Sequence, residues 1–358
     1  MFPTTRSAPT LRPITWTRSK NSRASSNRRW AMRHNPVWKI IVLAALCVFA
    51  IALSLCLGSG FISPARVPGI LWDRAPGAEY EILTRLRIPR ILMAFTIGAA
   101  LAVSGVLFQA LLKNPLSDPY TIGVSGGAAF GASVAIILLE RSVYVVLLAF
   151  GGSMAVVFLV FLLSRKLRIG STALILGGIA LSFILHSALL LLFSVSRSQE
   201  VHRALFWLMG DLSIGRFGEL YRIGALTALV ILLSLFYHRH LNIIAFGDSF
   251  AKNMGVSPGE IKNIFWLAAL LAALSVSLGG VIGFVGLIIP HAIRYIFGPN
   301  HGVVLPAAAL GGGFFLVLSD TLGRSIAPPY EIPVGIITGF LGGIFFLVLL
   351  LRKRGIEA

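Results

Sequence analysis

From about residue 39 to residue 354 the chain alternates apolar runs of membrane-spanning length with short clusters of charged, Gly and Pro residues. A helix that crosses the hydrocarbon core of a bilayer needs about 20 apolar residues. The pattern therefore predicts spanning helices at roughly 40–60, 90–112, 119–139, 142–164, 171–195, 217–237, 263–280, 282–297, 302–321 and 333–351. The expected fold is an all-α polytopic membrane protein of about ten transmembrane helices. The seventh and eighth come from one nearly unbroken apolar stretch, Ile264 to Pro290, and the small residues Gly279-Gly280 permit the turn that divides them. Without that turn the C-terminus changes sides. Ala204 to Gly210, with Trp207 inside it, is too short to span and reads as an interfacial helix.

One interruption is unlike an ordinary loop. Asn114 to Ala128 reads NPLSDPYTIGVSGGA, with two prolines, an Asn, an Asp and three glycines, wedged between two apolar segments. Proline removes a backbone donor and glycine permits close backbone approach. Backbone unwound at membrane depth persists only where protein or a water-filled cavity surrounds it. The run thus points to a translocation pathway rather than to a passive anchor. Gly279 to Pro290 is a second Gly-rich, Pro-interrupted run. Each follows a similar stretch, Ala99-Ala100-Leu101-Ala102-Val103-Ser104 in one case and Ala272-Ala273-Leu274-Ser275-Val276-Ser277 in the other. The two stretches run in opposite directions across the membrane, which predicts inverted repeats over spans 2–5 and 7–10. Chance similarity between apolar segments is the alternative.

Composition narrows the class. Hydrophobic residues make up 56% and charged residues 12% of the chain, with a mean hydropathy of +0.87, whereas soluble domains carry about 25% charged residues. The net charge of +18 would suggest nucleic acid on a soluble chain. Here nine Lys and Arg, and no Asp or Glu, fall in residues 1–39, ahead of the first span. The positive-inside rule then places the N-terminus in the cytoplasm, an even number of spans returns the C-terminus there, and the partner of the basic charge is the anionic inner leaflet rather than nucleic acid. The expected location is the cytoplasmic (inner) membrane. The expected division is a disordered basic tail over 1–38, a transmembrane domain over 39–354 and a C-terminal end over 355–358. Cys47 and Cys56 both lie in the first span and read as buried apolar residues, not as a disulfide or metal site.

Three features carry candidate chemistry. On the inner side, Gly247-Asp248-Ser249-Phe250-Ala251-Lys252-Asn253-Met254-Gly255 reads as a short helix, capped by Asp248 or Ser249 and stopped by Gly255. Ser257-Pro258-Gly259-Glu260 then has the spacing of a capping box that opens a second short helix. Two capped helices within 238–262 form a rigid knob suited to take force from a partner; an ordinary interhelical loop is the alternative. On the outer side, Arg85, Arg87 and Arg90 crowd where few cations are expected, with Arg324 on the same face. Either they snorkel at helix ends or they dock the carboxylates of a partner. Within the fifth span His186 sits near Ser182 and Ser187; an ionisable residue there either belongs to a substrate pathway or bonds across helices. No P-loop, H-E-x-x-H, G-x-S-x-G or Cys/His cluster occurs. No catalysis, metal or cofactor is expected of the chain itself.

The blocks Arg87 to Arg90, Gly98 to Gly105, Asn114 to Ala128, Phe206 to Gly210, Ile244 to Gly247 with Met254 to Val256, and Gly283 to Arg294 follow one another in a recognisable order. Leu305-Pro306, Leu318 to Asp320, Arg324 and Glu331 to Gly335 complete it. Together they resemble the FecCD family, the permease subunits of ABC importers for ferric siderophores, haem and cobalamin. The resemblance implies a ten-helix subunit paired with a copy of itself or a homologue. It implies two cytoplasmic ATPases, which use ATP and Mg, and a periplasmic or lipid-anchored binding protein. It further implies that Arg87, Arg90 and Arg324 meet acidic residues of the binding protein, and that Gly247 to Gly255, with Asp248, Ser249, Ala251 and Met254, seats in the ATPase. Asn114, Leu116, Ser171 and Thr172 would line a cytoplasmic gate. Ferric siderophore is the expected cargo, with haem or cobalamin as alternatives. The competing class is an ion-coupled secondary transporter. Such proteins carry intramembrane carboxylates or ion sites, and the spans here are nearly free of Asp and Glu.

Overall fold

The computed structural model describes residues 36–354 except 59, 74–76, 140–141, 168–170 and 213–216. The basic tail expected over 1–38 lies outside the described residues up to residue 35, as does the end at 355–358. Every element among the described residues is helical. In chain order they are α1 Pro36–Cys56, α2 Val67–Asp73, α3 Ala78–Leu111, α4 Val124–Leu138, α5 Ser142–Leu167, α6 Ser171–Ser194 and α7 Ser198–Leu208. There follow α8 Phe217–Leu235, α9 His238–Ile244, α10 Asp248–Asn253, α11 Pro258–Gly279, α12 Val285–Phe297, α13 His301–Ser325 and α14 Val334–Arg354. A π-helical stretch, Ile82–Arg87, lies within α3, and a 3-10 turn, Pro119–Ile122, leads into α4.

Six of these helices are long and apolar enough to cross a membrane, α8 makes a seventh if its continuation into α9 through a 56° bend is counted as one span, and α4, α12 and α14 contain shorter apolar helices. They are the segments that the hydropathy pattern predicts, and the chain is a multi-pass membrane protein. The long apolar stretch divides where expected. Gly280 ends α11 at φ 71, ψ −161, which L side chains rarely adopt, and a Cβ there would overlap the Trp207 carbonyl. With 15 and 13 residues, α4 and α12 rise only about 20 Å, short of the roughly 30 Å hydrocarbon core. The break ahead of each takes up the difference. The order long, short, long, long occurs twice, as α3 to α6 and as α11 to α14, with a break after the first member each time.

The core is built on α3. Its most apolar window is 83% buried within the chain, against 11% for α6, so α3 is wrapped by its neighbours and α6 turns an apolar side outward. The run of small residues in α3 explains the difference. A Cβ at Gly98 would overlap the Gly312 carbonyl of α13; without one, the two backbones touch, which is how membrane helices gain packing energy. The Ser104 hydroxyl donates to the Ala268 carbonyl at 2.7 Å and ties α3 to α11. The interfacial helix, α7, begins earlier than the pattern predicts, at Ser198, buries Ala204 and leaves Leu205 and Phe206 exposed. Its end is pinned to the start of α14, where the Val334 and Gly335 N–H groups donate to the Gly210 and Met209 carbonyls at 3.2 and 3.1 Å.

Candidate functional site

The two interrupted runs meet in space. At the end of α3 the Lys113 N–H donates to the Ala110 carbonyl (3.4 Å) and the Asn114 N–H to the Gln109 carbonyl (3.2 Å), the paired bonds of a Schellman cap. The chain then turns on its own side chains: Asn114 Oδ1 accepts the Leu116 N–H at 2.9 Å, and Asp118 Oδ1 accepts the Tyr120 N–H at 2.9 Å to start the 3-10 turn. From within α3, Gln109 Nε2 donates to the Ser117 carbonyl (3.2 Å) and to the Gly286 carbonyl of α12 (3.1 Å). The Tyr120 hydroxyl accepts the Ile282 N–H of the second break at 3.4 Å. Polar side chains thus meet several of the backbone groups that the breaks set free, the condition for unwound backbone inside a membrane.

Beside this junction lies a cavity of about 470 Å³, whose lining includes Tyr120, Thr121, Ser125, Ser182, His186 and Val281. The structure therefore brings His186 and Ser182 to the first break. Ser187 does not join them; its hydroxyl bonds back to the Phe183 carbonyl at 3.0 Å. Hydroxyls and one imidazole face the cavity among apolar side chains such as Ile179, Phe183 and Leu189, and among the described residues no Asp, Glu, Lys or Arg lines it. Such a wall makes weak apolar contacts and a few hydrogen bonds with a large solute and holds no carboxylate trap. Among the gate candidates, Asn114 is engaged in its local turn and Leu116 is 45% exposed. Ser171 and Thr172 open α6, and their side chains lie outside the described residues.

The end of α3 also touches the short-helix segment, for Lys113 Nζ lies 2.5 Å from Asp248 Oδ1. The predicted short helix is α10, followed by Gly255 at φ 86. Two details differ from the prediction. Gly247 holds the N-cap position with no side-chain cap bond, so neither Asp248 nor Ser249 caps; Asp248 stands inside the helix and reaches Lys113. Ser257 forms its capping box with Glu260, but the box opens the 22-residue α11 rather than a second short helix. Within α10 and its end, Ala251 is buried at 1% exposure and Met254 is 57% exposed.

At the opposite end of α3, about 35 Å along the axis from Lys113, the arginines do not form the exposed patch expected of Arg87, Arg90 and Arg324. Arg87 and Arg324 are 5% and 3% exposed, and the Arg90 side chain 13%. A guanidinium taken out of water needs partners, and these three find them: carboxylates for Arg90 and Arg324, backbone carbonyls for Arg87. Asp320 gives one oxygen to Arg90 Nε and the other to Arg324 Nε, both at 2.9 Å, and Glu331 meets Arg90 Nη1 at 2.5 Å. Arg324 Nη2 donates to Ser54 Oγ at 2.7 Å, while Arg87 donates to the Leu55 carbonyl at 2.5 Å and to the Gly60 carbonyl. The cluster braces α1, α3 and α13. Exposed cations at this end include Arg66 and Arg85, paired with Glu79 and Glu81 at 2.9 and 2.7 Å. Sequence reasoning did not single out Gln109, Lys113, Tyr120 or Glu331, although an amide deep in an apolar span was an available signal for Gln109.

The model of the FecCD transport family matches residues 46–352. The chain is 37% identical over 292 residues to the hemin transport system permease protein HmuU of Yersinia pestis, covering 79% of this chain and 87% of that protein. It is 39% identical over 323 residues to the Fe(3+) dicitrate transport system permease protein FecD of Escherichia coli strain K12, covering 88% and 99%. A solved chain, described as the inward-facing conformation of a transporter assigned to the metal-chelate ABC type, superposes with a TM-score of 0.77 at 30% identity, over 89% of this chain and 100% of that one. By the matched length, these identities and the two meeting breaks among apolar spans, the chain belongs to the FecCD transport family of ABC-importer permeases.

Proposed function

We propose that this permease carries an iron chelate, a ferric siderophore first among them, through the junction of its two broken spans, driven by ATP that separate subunits hydrolyse. The observation that carries the reading is the cavity at that junction, whose largely apolar wall is dotted with hydroxyls and one imidazole and holds no carboxylate among the described residues. Bare ferric iron is a hard cation that calls for carboxylate-type oxygen ligands, and no carboxylate lines this wall. A chelate brings its own ligands and needs only weak contacts along the way. Haem or cobalamin meets the same condition. An ion-coupled secondary transporter fits less well, because Asp320 is spent on Arg90 and Arg324 instead of facing the cavity.

In this reading the protein lies in the cytoplasmic membrane with both termini inside, and the α10 end faces the cytoplasm. Two ATPases, using ATP and Mg, seat at Gly247 to Gly255, and the Lys113–Asp248 pair joins their site to the first break. A second copy, or a homologue, packs on the outward side of α6 and completes a gate at Asn114, Leu116, Ser171 and Thr172. The binding protein docks at the other end. Its acidic residues meet Arg66 and Arg85, which are exposed, and reach Arg90 by displacing Glu331, whose side chain is 39% exposed.

Proteoliposomes holding this chain with a partner ATPase and binding protein test the reading. Ferric siderophore is expected to accumulate only with ATP, and the permease alone to hydrolyse none. Accumulation driven by an ion gradient without the ATPase would sink it, and the ligand that the purified binding protein retains decides among the chelates.

A further inference from the structure

A second cavity, of about 500 Å³, opens at the α10 end. The first break borders both, giving Tyr120 and Thr121 to one cavity and Lys113 and Pro115 to the other. The polar lining of the second is Gln109 and Lys113 from the end of α3, Asn242 from α9, Arg294 from α12, and Asn300 and His301 at the start of α13; none of its lining residues is Asp or Glu. Asn242 holds these walls together, since its Oδ1 accepts the His301 N–H at 2.9 Å and meets His301 Nδ1 at 2.8 Å, and its Nδ2 donates to Asn300 Oδ1 at 3.1 Å.

Arg294 is the uncompensated group. Its guanidinium, charged at any ordinary pH and carrying five donors, bonds to the neutral Gln109 Oε1, and no carboxylate among the described residues pairs with it. A half-buried charge in that position wants an anion. Lys113 adds a second cation at the rim, where its carboxylate partner Asp248 is 84% exposed and easily exchanged for another anion. The walls are not polar throughout, for Ala245, Phe246 and Pro299 also line the space.

We propose that this cavity binds a phosphate ester. The phosphoryl oxygens sit on the Arg294 fork, which matches phosphate in geometry and charge, with Lys113 beside them. The organic part lies against Ala245, Phe246 and Pro299. A phospholipid head group and a soluble phosphate ester share this chemistry. Because Lys113 also holds Asp248, an occupied site competes with α10 for that lysine. The site stands on its own lining and does not depend on which chelate the permease carries.

The test uses the full chain in phosphatidylcholine nanodiscs, melted while sn-glycerol 3-phosphate is titrated at constant ionic strength. A saturable rise in melting temperature is expected. Arg294→Gln should weaken the apparent affinity on the order of tenfold, and Asp248→Asn, which frees Lys113, should strengthen it. Opposite signs separate ligand charge from damage to the fold, which matters because Arg294→Gln also gives up the bond to Gln109. Lys252→Gln, on α10 but outside the cavity lining, should leave the affinity for glycerol phosphate unchanged. In a second arm the discs contain phosphatidylglycerol and native mass spectrometry counts retained lipid. Retention that Arg294→Gln abolishes, without any response to glycerol phosphate, assigns the site to lipid. No response to the ester together with lipid retention that is absent or unaffected by Arg294→Gln overturns the proposal, and so do equal losses in Lys252→Gln and Arg294→Gln. Failure of ATP-dependent uptake bears on the transport reading and leaves this result untouched.

Discussion

Lys113 stands at φ 50, a conformation that glycine usually supplies just beyond a helix end. A non-glycine residue there costs roughly 1 kcal/mol, and an ion pair with so exposed a partner returns about 0–1 kcal/mol. Stability therefore gives no reason for a lysine at this position, whereas a link between the first break and α10 does. Lys113→Gly is expected to hold the melting temperature level or raise it by about 2 °C, while ATP-dependent uptake falls severalfold. Loss of uptake in step with a lower melt would instead make Lys113 structural. Asp320 is the opposite case, because both its oxygens serve desolvated guanidiniums. Asp320→Asn should cost about 3–5 kcal/mol by leaving those charges unmatched, against about 0–1 kcal/mol for Arg85→Gln at its exposed pair. Melts of the two variants in one lipid compare them directly, and equal shifts would mean that the cluster is solvated.

Among elements, α3 tolerates the least change, because its neighbours touch its backbone. Gly98→Val must push Gly312 away, and overpacking of this kind costs about 1–3 kcal/mol or more. The same substitution at Gly69 in α2 meets nothing within 4 Å. The first variant should aggregate in detergent and the second elute normally on gel filtration. In α10 the structure separates two residues that look alike in sequence. Ala251→Glu buries a charge against the segment's own core and should disrupt α10. Met254→Glu leaves the fold unchanged, by protease resistance, and should stop ATP-dependent uptake by spoiling the surface offered to the ATPase. Uptake that survives Met254→Glu would remove this end of α10 from the docking site.

For the whole molecule the open question is what covers α6, whose most apolar window is only 11% buried. Lipid suffices for an apolar face, but α6 also lines the cavity with Ser182 and His186, which lipid does not satisfy. A second copy packed there would close the cavity and bring each gate segment near its own counterpart. Leu116→Cys, in a chain whose Cys47 and Cys56 are replaced by alanine, should then cross-link between copies, which requires Cα atoms within about 7 Å. The cross-link should block uptake reversibly with reductant. Efficient cross-linking with undiminished uptake would show that this segment does not gate the path.

The sequence by itself determined where the apolar helices lie, the two breaks between them and the stop at Gly255. Bilayer thickness sets helix length, and proline and glycine act on the backbone where they stand, so such features are written locally. Partnership was not legible. Arg87, Arg90 and Arg324 read as surface residues because the sequence shows only which side of the membrane they approach. Whether water or a partner meets a guanidinium depends on what the fold carries to it: for Arg90 that is Asp320 and Glu331, more than 200 residues away along the chain, and for Arg87 the Leu55 and Gly60 carbonyls at and just beyond the end of α1. The same holds for Tyr120 on Ile282, Gln109 on Gly286 and Lys113 on Asp248. A side chain's type limits which bonds it can make, and only tertiary packing supplies the partner and the dielectric that decide whether it is a brace, a wall or a link.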